Sequence, residues 1–191
     1  MEMKHINLFD IFSKEKRLNE IADRIIDPII VNKSSSGSGW VRVFYYDIVI
    51  RGNVYKISIQ LIGKEKYAIQ IDFGISLGEF EMSNELTNSN IMLEVMSNLV
   101  GVFKQWLKDY KGNDVIQSFI ITGKSEFSGD HRRSSIYDAY IKKILGKLGV
   151  NVIETLDITD DWNMLFSINT LGRTMKYVIE PITLDKMRLY K

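Results

Sequence analysis

The sequence predicts an α+β fold: a mixed, mostly antiparallel, twisted sheet with helices on both faces. Three observations predict it. Three β-rich runs lie between residues 40 and 75, and in the second and third of them apolar residues alternate with polar ones. Two stripes with helical spacing, near 90–110 and 134–148, each follow a β-rich run. A last group of β-rich runs closes the chain after residue 150. The resulting order is helix, three strands, helix, strand, helix, then two or three strands, which layers helices against one sheet.

The first element is read as helical. Leu18, Ile21, Ala22 and Ile25 have helical spacing, and Asp27-Pro28 ends the run because a residue before proline resists the α conformation. Residues 1–32 are therefore expected to be an N-terminal helical segment. KSSSGSG, residues 33–39, has no side chain able to build a core and is expected to be a flexible connector. Residues 40–191 are expected to form the α+β domain.

WVRVFYYDIVI and VYKISIQLI read as two strands, with Gly52-Asn53 as the hairpin turn between them. Tyr55, Ile57, Ile59 and Leu61 alternate with Lys56, Ser58 and Gln60, which gives one wet face. YAIQIDFGI follows the turn GKEK as a third antiparallel strand. Residues 74–90 read as an acidic loop. Ile91, Val95, Leu99, Val102, Trp106 and Tyr110 then mark a helix. VIQSFIIT is apolar enough for a central strand. Ile136, Tyr140, Ile144 and Leu148 mark the next helix, and Gly149 is its stop signal. VNVIETL, WNMLFSIN and MKYVIE read as closing strands, the last ending at Pro181.

Bulk properties exclude several functions. The chain has 191 residues, 45% hydrophobic and 26% charged, which suits one globular domain with a sizeable core. With 25 basic and 24 acidic residues the net charge is +1, so no long-range field draws in nucleic acid or an anionic membrane. Nucleic acid and membrane are not expected partners. The absence of cysteine removes disulfides, thiol nucleophiles and thiolate metal sites. His5 and His131 are too few for a zinc site, so no metal is expected. No apolar run approaches the roughly 20 residues of a membrane helix, and a cytoplasmic location is expected.

The element order over residues 7–169 resembles that of the GCN5-related N-acetyltransferases, which implies an acetyltransferase-like topology. In that family a Gln/Arg-x-x-Gly-x-Gly/Ala loop cradles the pyrophosphate of acetyl-CoA with backbone N–H groups at a helix N-terminus. The matching segment, 74–90, holds Gly74 and Gly78 at a different spacing, no basic residue, and Glu79, Glu81 and Glu85. Tyr137 stands where the family carries a general acid to the departing thiolate. The resemblance thus implies Tyr137 as the catalytic residue of an acyltransferase and acetyl-CoA as its cofactor; without that activity no cofactor is expected. The early element order also resembles PD-(D/E)xK nucleases. Asp72 on the third strand has no lysine two residues on, so that metal chemistry is not expected. Residues 116–145, with Phe119, Lys124, Glu126, and Arg133 four residues before Tyr137, resemble a pattern in uncharacterised bacteriophage proteins. This implies a phage origin, hence the host cytoplasm or a virion.

Lys124, His131, Arg132 and Arg133 gather before the helix at 134. They form a candidate anion- or nucleotide-binding site, helped by the N–H groups of the helix start. Arg132 or Arg133 pairing with Glu126 or Asp130, with Ser134 as cap, is the structural alternative. Asp157, Asp160 and Asp161 read as a solvated loop. Trp40, Phe44, Tyr45 and Tyr46 make both faces of the first strand apolar, so one face is free to meet the N-terminal helix or another protein. The expected function is a non-catalytic binding or assembly protein whose partner is a host or phage protein, or a second copy in a homo-oligomer. The alternatives are a divergent N-acetyltransferase and a small-anion binder through residues 124–133.

Overall fold

The computed structural model describes residues 27–83, 92–124, 132–166 and 172–189, and within these the side chains of 92, 93, 96, 123, 124, 132–137, 139, 162, 165, 166, 172, 173, 188 and 189 lie outside the description. The expected N-terminal helix falls almost wholly outside it. One sheet runs through the described chain. Its strands are β1 (Ile30–Ser38), β2 (Val41–Ile50), β3 (Asn53–Gly63), β4 (Lys66–Ser76), β5 (Met82–Ser83), β6 (Val115–Lys124), β7 (Val152–Asp157) and β8 (Gly172–Thr183). Their order is β1-β2-β3-β4-β6-β8-β7, with β5 beside β4. Among the described strands only the β4–β6 contact is parallel.

The helices are α1 (Met92–Asp109), α2 (Arg132–Lys147), α3 (Thr159–Phe166) and the short α4 (Leu184–Leu189). The expected placement of helices on both faces is overturned. Among the described residues strand clearly outweighs helix, so the fold is sheet-dominated. Leu99, Val100 and Phe103 of α1 line the same apolar cavity as Ile141 and Leu145 of α2, over Ile71 of β4 and Phe119 of β6. The two long helices therefore share one face. The physical reason is handedness: the β4–β6 and β6–β7 crossovers advance the same way across the sheet, and right-handed connections then land on the same side.

Local chemistry explains the elements. The β2–β3 turn is Arg51-Gly52, one residue earlier than expected, because Ile50 pairs with Asn53. Both turn residues have positive φ, 50° and 81°, as a type I′ hairpin turn requires. Helix α1 buries Val95, Leu99, Val102 and Trp106 on one stripe, with Phe103 and Leu107 beside it. Helix α2 ends at Gly149, φ 69°, in a Schellman turn: Val150 N–H donates to the Leu145 carbonyl at 2.9 Å and Gly149 N–H to Gly146 at 3.1 Å.

Three further expectations are corrected. Residues 33–38, expected as a connector, belong to β1, paired residue by residue with β2. WNMLFSIN, expected as a strand, begins within α3; Asp157 starts that helix by accepting the Thr159 N–H at 3.1 Å and the Thr159 hydroxyl at 2.5 Å. Asp160 and Asp161, expected in a loop, occupy its first turn, where the helix dipole favours them. Strand β8 runs through Pro181, which sits where the ladder to β6 skips from Ile182 to Val178, a bulge that tolerates a missing N–H.

Candidate functional site: the open edge at β1 and the face beside it

Strand β1 is an outer strand of the sheet among the described residues. None of its residues is buried. It carries one charged residue, Lys33, whose ammonium lies 2.7 Å from Asp109 at the end of α1. Hydrogen bonds from Lys33 and Gln105 outweigh burial, which pulls the other way, and hold the Asp109 carboxyl below its usual range. Asp109 also accepts from Tyr46; burial first, then this carboxylate, pushes the Tyr46 phenol up. Large apolar side chains stand exposed at both ends of β1: Ile29 (66%) and Val31 (56%) at the start, Trp40 (45%) in the turn to β2.

The edge is backed on both faces. On the helix face, Arg42 of β2 reaches Tyr110 and Asp114 beyond α1, with its second amino group 2.9 Å from Asp114. Its guanidinium lies over the rings of Tyr67 and Tyr110, 4.8 and 5.4 Å from their centroids. Burial, then the hydrogen bond to Asp114, pushes the Tyr110 phenol up to about 12. On the opposite face, Lys56 of β3 is fully buried. Its ammonium donates to Asp47 of β2 at 2.5 Å and to the Glu79 carbonyl at 3.0 Å. Asp47 also accepts from Ser76 at 3.0 Å and from Asn32 of β1 at 3.2 Å. Ser34 of β1 donates to the Glu79 carbonyl at 3.3 Å, and Phe80 meets Tyr45 edge-on, with centroids 5.6 Å apart. The loop 77–81 thereby ties β1, β2 and β3 together, and among the described residues no strand pairs with the outer edge of β1.

The sequence-derived site residues lie elsewhere. The backbone sets Lys124 at the end of β6, Arg132 and Arg133 in the first turn of α2, and Tyr137 farther along it. Their side chains, and His131, Glu126 and Asp130, lie outside the described residues. The segment matched to the acetyl-CoA loop holds the end of β4 and β5. Gly74 is required there because a Cβ would strike the Ser83 carbonyl. Asp47 has its oxygens taken by Lys56, Ser76 and Asn32, while Asp72 accepts Gln60 at 2.9 Å and Gln70 at 2.8 Å. Among the described residues no group of three or more histidines and carboxylates is placed to hold a metal, and no helix is long and apolar enough to cross a membrane.

The edge escaped sequence reading because its serines carry no alternation. The one available signal was Ser38-Gly39-Trp40-Val41, a two-residue turn with Gly39 at φ 61°. No protein-family model matches the chain, and comparison with curated proteins and with solved structures finds no match.

Proposed function

We propose that this protein is a non-catalytic binding or assembly protein, that it docks a protein partner by adding a strand to the β1 edge, and that it works in a phage setting. The observation that carries the docking mode is the β1 edge itself: outermost in the sheet among the described residues, none of it buried, and flanked by exposed Ile29, Val31 and Trp40. Backbone groups on such an edge supply the affinity in strand addition, and flanking side chains supply the choice of partner. Natural sheets guard exposed edges with charges. The single charge of β1 is drawn onto Asp109 instead. The phage setting rests on the resemblance of residues 116–145.

The test is capture from infected and uninfected cells, with the full chain and with Ser35→Pro as baits. Partner recovery with the parent chain and its loss in the variant is the expected result. Equal recovery by both overturns the edge as the docking site.

A further inference from the structure

We draw no further inference here: the strongest candidate, the sheet face opposite α1 and α2, where Ser58, Ser118 and Ile120 are buried and neither serine hydroxyl has a hydrogen-bond partner, carries nothing because nothing in the structure shows what covers it.

Discussion

Lys56 carries its ammonium to a fully buried position on the sheet face away from α1 and α2. Its partners there are a carboxylate and a carbonyl, Asp47 and Glu79. Taking away one member of a buried pair strands the other charge, which costs about 3–5 kcal/mol. Lys56→Met is expected to destabilise by that order in urea unfolding, and Lys56→Met with Asp47→Leu by much less. A single-variant loss below about 1 kcal/mol contradicts the buried-pair account. The phenols predict a pH dependence. Burial, and for Tyr110 also Asp114, raises the folded values of Tyr110 and Tyr140 to about 12, from an ordinary value near 10, and Tyr46 is raised too. A folded value raised above the unfolded one gives stability that is complete below the unfolded value. That stability is lost as pH rises through the folded value. Stability is therefore expected to fall between pH 10 and 12. Tyrosinate absorbance at 295 nm is expected to show a late-titrating group among the nine tyrosines. A single transition near pH 10 for all of them counts against it.

At the scale of elements, close approach of backbone rather than burial fixes β5. Strand β4 meets it through Ile75–Ser83 and Ser76–Met82, and Gly74 lies directly against the Ser83 carbonyl. Gly74→Ala must push the two apart, so a loss of about 1–3 kcal/mol is expected. Hydrogen exchange is expected to speed up at Ile75 and Ser83 while β2 stays protected. Unchanged exchange there contradicts the close-approach role. The same scale shows what the sequence revealed. Strands β3 and β4 were legible because one face of each packs under helices, which forces alternation, and β2 was legible as an unbroken β-rich apolar run. Helices α1 and α2 were legible because a buried stripe must repeat every three or four residues. Strand β1 was hidden because its order comes from pairing with β2 and not from any side chain it buries. Helix α3 was mistaken for a strand because Trp162, Met164 and Phe166 alternate. Met164 is 78% exposed, so the alternation did not report burial; Asp157, Asp160 and Asp161 were the truer signal of a helix start. The wet face of β3 was legible by period but not by depth, since Lys56 and Ser58 are buried.

At the scale of the whole molecule, one sheet joins chain segments remote in sequence. Residues 77–114 lie between β4 and its parallel neighbour β6, and β8 comes to lie between β6 and β7 although it follows both in sequence. The helix face is equally shared: α1 packs on β2 and β3, α2 on β6 and β8, and α4 buries Leu184 and Met187 against α1. No point in the described chain separates two cores. With the first and last strands of the described chain in one sheet, the molecule is expected to unfold in one cooperative step even though it exceeds the size at which two-state behaviour is usual. Trp40 stands at the β1 edge and Trp106 is fully buried in α1, so each reports a different layer. In a Trp162→Phe background, tryptophan fluorescence of Trp40→Phe and of Trp106→Phe, each compared with far-UV circular dichroism of the same variant, is expected to give coincident denaturant midpoints within each variant. The order of assembly follows from the same topology. The hairpins β1–β2–β3–β4 are local, whereas the β4–β6 and β6–β8 contacts close long loops, so refolding is expected in milliseconds to seconds rather than microseconds. A fluorescence transition from Trp40 that leads the circular dichroism transition would show that the hairpin end unfolds on its own, and would break the sheet into two cooperative units.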